Sequence, residues 1–359
     1  MDRIINILFQ DDELIDEDEN LQENRRRPRS IRPRINYLNI FDTVDFKKRF
    51  VISRHNFMML LERIQAEIQH NTDRNNAIPP AIQLMVAPRF YATGSFLKTI
   101  GDFCAISEVS AHDIIHRVSP AIAALRDEFI KLPISPEEIR VSQREFFETA
   151  KFIRVIGCIN CTHVRIQSYG GEDSELYRNR KGYFSLNIQV VINAKLEIID
   201  IVARWPGSAQ DSTVFNHSRI KSLFEANRFG DALLLGDSGY PNLPYLMTPL
   251  LNPTKPAEHL YNEAQIRTRS KIERCFGIWK RRFAVLSIGS RFHTVQKMLP
   301  IVIATAILHN IAQQKNEPNV INPEIYDNVI AEVQNVRVDN MNIRDERQHL
   351  LSEYFERLL

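Results

Sequence analysis

The chain is short of cysteine and glycine and carries almost no net charge. Four cysteines in 359 residues (Cys104, Cys158, Cys161 and Cys275) are too few for a disulfide framework and point to a reducing compartment. A net charge of +2 removes overall charge as an argument for a nucleic-acid partner, so only the distribution of charge can supply one. Long apolar runs are lacking too. The longest, LPIVIATAIL at 299–308, is about half of what a membrane span needs. The first residues do not read as a signal peptide. What is present, 44% hydrophobic and 25% charged residues, is the composition of a soluble globular protein of one large or two ordinary domains.

Charge is concentrated at the N-terminal end. DDELIDEDEN at 11–20 holds seven acids, and NRRRPRSIRPR at 24–34 holds six arginines. Neither segment can bury apolar surface, so residues 1–35 are expected to be a disordered tail. RRRPR suits either a nuclear-import signal or a phosphate-binding arm, and a solvated tail of opposed charges is equally consistent with it.

Helical periodicity fills 36–135. In DFKKRFVISRHNFMMLLERIQAEI the apolar residues Phe46, Phe50, Phe57, Leu60, Leu61, Ile64 and Ile68 recur near helical spacing. GSFLKTIGDFCAISEVSAHDIIHRVSPAI, at about 94–122, reads as a helix, an AIS turn and a second helix capped by Ser107. That is the layout of a helix-turn-helix. If the unit reads DNA, Ser110, His112, His116 and Arg117 are its exposed candidates, although Glu108 and Asp113 suit phosphate poorly. The alternative is a helical packing module.

From 150 the pattern turns to strands. IRVIGCINCTHVRIQ at 153–167 has the build of a buried strand, yet its centre is polar, and polar atoms in a sheet core are costly unless paired or used. YFSLNIQVVINAKLEIIDIVARW reads as a hairpin turning near Asn193–Lys195, and DALLLGDSGY at 231–240 as a short buried strand ending in a turn. A helix is expected at about 264–283 and an all-apolar core helix at about 294–315. Beyond 316 a polar tail precedes the amphipathic RQHLLSEYFERLL. Strands in this order between helical stretches predict an α/β layered domain with a mixed sheet over 150–315.

Three acids stand out by context. Asp211 lies in the loop RWPGSAQDSTVF, and Asp237 ends a buried strand, where α/β sheets place ligands. Glu273 borders the apolar stripe Ile272, Phe276, Trp279 and Phe283 and is the only acid among seven basic residues between 266 and 283. A surface ion pair with Arg269 is the plain reading of Glu273, and a turn residue that of Asp237. Acids converging from separate elements are what a hard divalent cation requires. Cys158 and Cys161 spell C-x-x-C with His163 nearby, but strand alternation sends residues 158 and 161 to opposite faces, against zinc. Arg180, Lys181, Arg281 and Arg282 are candidates for a phosphate track.

Six segments then carry a resemblance. YATGSFLKTIGDFCAISEVSAHDIIHRV, GCINCTHVRI, WPGSAQDSTVFNHS, LLGDSGYPNLPYLMTPL, RSKIERCFGIWKRRF and AILHNIA, from about 45 to 315, resemble the PIF/Harbinger transposases and the nucleases derived from them. The resemblance implies an RNase H-like domain with a DDE triad, Mg²⁺ or Mn²⁺ as cofactor, and two-metal hydrolysis of DNA phosphodiesters. By position, the first aspartate falls on Asn160, the second on Asp237 and the glutamate on Glu273, with Asp211 a further metal ligand. It also implies DNA and a Myb/SANT-like DNA-binding protein as partners, with room for a homo-oligomer, and a nuclear protein that can also reside in the cytoplasm.

Asn160 is the departure from the pattern. Its amide offers a carbonyl oxygen but no charge. Three readings follow: a domesticated member that binds DNA, chromatin or a partner without cutting, a nuclease inactivated at 160, or weak activity through the three remaining acids.

Overall fold

The computed structural model describes residues 33, 37–70, 72, 76–168, 172–289, 292, 294–313 and 346–359. The tail expected over 1–35, and all of 316–345, lie outside the described residues apart from position 33. Among the described residues, the α-helices of five or more residues before the sheet are α1 Thr43–Phe50, α2 Arg54–Ile68, α3 Pro80–Thr93, α4 Leu97–Cys104, α5 Glu108–Ala123 and α6 Pro136–Ala150. The strands are β1 Val155–Arg165, β2 Ser185–Ile192, β3 Ile198–Pro206, β4 Leu233–Leu235 and β5 Leu246–Met247. Between and after them come α7 Asp211–Asn216, α8 Arg219–Glu225, α9 Pro256–Arg282, α10 Val295–Gln313 and α11 Glu346–Leu350.

Local chemistry explains the boundaries. Asp42, Ser53, Ser107, Ser135 and Ser218 each accept a backbone N–H from the first turn of the helix they precede. Ser135 and Glu138 complete a capping box on α6. The turn between α4 and α5 needs Gly101, because a Cβ there would stand 2.8 Å from the Ile106 carbonyl. Helix α9 begins at Pro256 rather than near 264, since proline suits the first turn and Glu258 accepts from the N–H groups of Thr254 and Lys255.

The five-stranded sheet has the order β3-β2-β1-β4-β5. The first three strands are antiparallel and β4 and β5 run parallel to β1, which is the mixed, RNase H-like arrangement. One face packs Cys158, Val164, Ile188 and Val190 into a cluster that continues through α9, α10 and the N-terminal helices. The other face packs Ile156, Ile159 and Leu234 against Phe215, Ile220 and Phe224 of α7 and α8. Sheet and helical region therefore share one core.

Helix α10 is long and apolar enough to cross a membrane by length and composition. Here eleven of its residues are buried, and they pack on α5 and β3, so it acts as the core helix that the sequence pattern suggested. Asn310 from this helix completes the edge of β3: its Nδ2 donates to the carbonyls of Ile198 and Phe129, and its Oδ1 accepts from Ile198 N. At the C-terminal end, Leu350, Leu351, Tyr354 and Phe355 are buried, with the Phe355 ring 5.5 Å from Phe152 and 5.4 Å from Tyr261.

Candidate active site

Strand β1 carries the polar residue that the sheet core had to justify. Cys158 is fully buried and its thiol donates to the Thr268 carbonyl of α9. Two residues on, alternation returns Asn160 to the same face. Asn160 is 6% exposed, its Oδ1 accepts from Cys161 N, and its Nδ2 donates to Glu273 Oε1 at 2.9 Å. The same Glu273 oxygen accepts from Arg269 Nη1 one turn earlier on α9, at 3.2 Å. The polar centre of β1 is thus satisfied by a carboxylate held between an amide and a guanidinium.

The two aspartates meet beside this pair. Asp237 lies two residues past β4, and its Oδ1 accepts from Gly239 N at 2.8 Å. Asp211 opens α7, and its Oδ1 accepts from Asn187 Nδ2 of β2 at 3.1 Å. A Cβ on Gly239 would stand 3.0 Å from Asp237 Oδ1 and 3.8 Å from Asp211 Oδ2. Both carboxylates therefore border one small space that the glycine leaves open. Cys161 faces this side, 3.3 Å from the Tyr240 hydroxyl. Burial, and then the Asp211 charge, pushes the Cys161 thiol well up, and burial with neighbouring Cys161 does the same to Tyr240, so both stay protonated at neutral pH. Cys158 and Cys161 contact different partners on opposite faces.

These groups line a cleft of about 670 Å³. Asn160, Asp211, Asp237 and Glu273 all contribute to it, together with the cations Arg180, Lys181, Lys280 and Arg281. His163 supports that basic wall: its Nδ1 lies 3.0 Å from Ser185 Oγ and its carbonyl accepts from Lys280 Nζ at 2.7 Å. Burial holds the His163 ring below its ordinary range against the pull of Asp211. Burial and the charge of Lys181 lower Lys280 to about 8, with Glu273 opposing. Lys280, Asn187 and Tyr240 were missed in reading the sequence. Lys280 stands two turns beyond Glu273, a spacing that could have flagged it, and Asn187 is a polar residue inside a buried strand, as Asn160 is.

The candidates on α5 are placed differently. Ser110 Oγ bonds Ser107 Oγ, and Arg117 donates to Gln83 Oε1 and contacts His70 Nε2 at 3.0 Å. His112 Nε2 lies 3.2 Å from Lys297 Nζ, and the His116 ring is 4.4 Å from Phe292 and from His112. Burial and neighbouring His112 lower His116 to about 4. The helix-turn-helix is present, and Ser110, His112, His116 and Arg117 sit on it half-exposed, each with a contact inside the chain. Arg282 is likewise turned away from the cleft, bonding His309 and Gln313, whereas Arg281 lines it.

The geometry finds its counterpart among known proteins. A model described as DDE superfamily endonuclease matches residues 159–310, a span that includes Asn160 and all three acids. HARBI1 of Homo sapiens, a protein named as a nuclease, is 35% identical over 282 residues, covering 77% of this chain and 80% of that protein. The chain belongs to the Harbinger transposase-derived nucleases. Protein ALP1-like of Arabidopsis thaliana is 24% identical over 291 residues, covering 75% of this chain and 71% of that one. A second Arabidopsis protein, named antagonist of like heterochromatin protein 1, is 22% identical over 244 residues, covering 64% and 61%. No solved structure matches the chain.

DDE-superfamily nucleases use divalent metals. Among the described residues, no group of three or more His, Cys, Asp and Glu side chains converges on one point. The half-site at Gly239 nonetheless fits a hard cation. It has two carboxylates around a space that a Cβ would fill, and beside Asp211 the Asn187 Oδ1 is buried without a partner. The other half differs, because the Asn160 amide already donates to Glu273.

Proposed function

We propose that this chain is a Harbinger-type DNA nuclease whose phosphodiester hydrolysis is attenuated by Asn160. Asp211 and Asp237 would hold Mg²⁺ or Mn²⁺, with Glu273 and Asn160 Oδ1 completing the site. When bound, the cation supplies Lewis acidity toward a phosphoryl oxygen. The chain's own residues do the rest. Arg180, Lys181 and Arg281 bind and orient the phosphates, and Lys280, half-buried beside His163, keeps a positive charge at the cleft wall below about pH 8. Asn187 fixes the Asp211 carboxylate, and the Gly239 N–H fixes that of Asp237. The observation that carries this reading is that Asp211 and Asp237 both border the space beside Gly239, in a cleft with a cationic wall.

The missing carboxylate sets the rate. Losing one electrostatic contact to a transition state costs roughly 100- to 1000-fold. Plasmid nicking in Mn²⁺ should therefore be slow for the chain as it stands and absent in Asp237→Ala. Equal nicking by the two proteins would refute the assignment. One observation favours a second reading, a DNA- or chromatin-associated protein that does not cut: the Asn160 amide is neutral and donates to a Glu273 carboxylate oxygen. The protein named as an antagonist of like heterochromatin protein 1 supports the same reading by analogy. On either reading the chain acts in the nucleus, delivered by the arginine-rich 24–34 segment. A Myb/SANT-like partner supplies further DNA affinity.

A further inference from the structure

A second groove, of about 810 Å³, lies between α1 and the end of α9. Lys47, Lys48 and Arg281 line it, over a floor that includes Val44 and Ile278, and no acid is among its lining residues. Arg281 also lines the candidate cleft, so the two adjoin at that side chain. The nearby acids of α1 are already engaged: Asp42 caps the helix by accepting from Asp45 N, and Asp45 pairs with Arg49 at 3.4 Å. Lys47 and Lys48 are exposed, and no ion pair to either appears among the described residues.

We propose that this groove holds the phosphate backbone of duplex DNA flanking the cleft, with Lys47 and Lys48 as phosphate contacts and Arg281 as the link between groove and cleft. The proposal rests on the nuclease reading for the polarity of the path, but its binding surface is separate from the carboxylates. A substrate longer than the cleft must leave it somewhere. The exit past Arg281 is lined with cations and lacks acids, and the hydroxyls of Thr43 and Ser53 can donate to phosphate oxygens. An anionic lipid surface or an acidic peptide would also answer to the charge. DNA is favoured over both because the groove adjoins the cleft proposed to act on phosphodiesters.

The test is fluorescence anisotropy of the full chain with a long duplex, in EDTA so that no cutting intervenes, over a range of salt concentrations. Each phosphate contact contributes about 0.9 to the slope of log affinity against log salt. Lys47→Ala with Lys48→Ala should lower that slope by about 1.8 and weaken binding about tenfold or more. Lys47→Arg with Lys48→Arg should restore both, which a folding defect would not allow. A short duplex confined to the cleft should bind both proteins alike. An unchanged slope on the long duplex overturns the proposal, as does a wild-type chain that binds no duplex at low salt, or lysine variants that lose only anionic-vesicle binding. Failure of the nuclease reading would appear separately, as absent cutting with the slope change intact.

Discussion

Replacing Asn160 by aspartate probes the site more sharply than any truncation, because it exchanges one NH₂ group for an oxygen and keeps the side chain's shape. The Asn160 Nδ2 donor lies 2.9 Å from Glu273 Oε1. With aspartate the donor becomes a second carboxylate oxygen, and an attraction becomes a repulsion. At an effective dielectric of about 20, two unit charges this close repel by about 4–6 kcal/mol. The Glu273 side chain is 56% exposed, so water screens this to about 2 kcal/mol, and Arg269 offsets part of what remains. Metal-free Asn160→Asp should therefore melt several degrees below the parent protein. Mn²⁺ should remove the deficit, because the paired carboxylates then become ligands. The assay is thermal unfolding in EDTA and across a Mn²⁺ titration, with Asn160→Ala as the control for the lost hydrogen bond. If Asn160→Asp and its parent respond identically to Mn²⁺, residue 160 does not face the metal site.

Other residues give independent tests. Gly239→Ala should cut the Mn²⁺-induced gain in melting temperature, since its Cβ would stand 3.0 Å from Asp237 Oδ1; an undiminished gain would move the cation elsewhere. Asn310→Ala removes three buried hydrogen bonds to Ile198 and Phe129 and should cost about 2–4 kcal/mol in urea unfolding, with a loss under about 0.5 kcal/mol refuting its role as the edge of β3. His309 is held neutral, with Nε2 2.8 Å from the Leu196 carbonyl and Nδ1 3.1 Å from Arg282, and burial lowers it to about 4. The unfolded chain takes that proton first, so stability is full above about pH 6.5 and falls as pH drops toward 4, by about 2 kcal/mol between about pH 7.5 and 5. His309→Gln should flatten that acid limb, and an unchanged slope would refute the assignment.

Much of the fold is legible because its signals are local. Ser107 announces the start of α5 by its own hydroxyl, and the Ile272–Phe283 stripe announces the buried face of α9 by period. Asp237 is legible for a related reason: a buried run that ends in Gly-Asp-Ser-Gly must turn at the strand's end. The start of α9 was misplaced because Pro256 and Glu258 act as capping signals upstream of the apolar stripe. Strand β5 is only two residues long, too short for any alternation to show. The surroundings of α5 were illegible for a deeper reason. Periodicity shows which side chains leave a helix's own core stripe, but not that Phe292 and Lys297, far along the chain, would contact His116 and His112. The amide at 160 was legible as a departure from its family, whereas its clasp on Glu273 required the packing of α9 on β1.

The central claim is that a nuclease site survives here around Asp211, Asp237 and Glu273 and is held back by one amide. The most direct measurement is metal-dependent plasmid cleavage by Asn160→Asp beside Asn160→Asp with Glu273→Ala. The account predicts that the single variant nicks DNA roughly 100- to 1000-fold faster than the parent chain and that the double variant loses the gain. If the single variant nicks no faster than the parent chain while still binding duplex DNA, the claim is contradicted, and the fold serves binding alone.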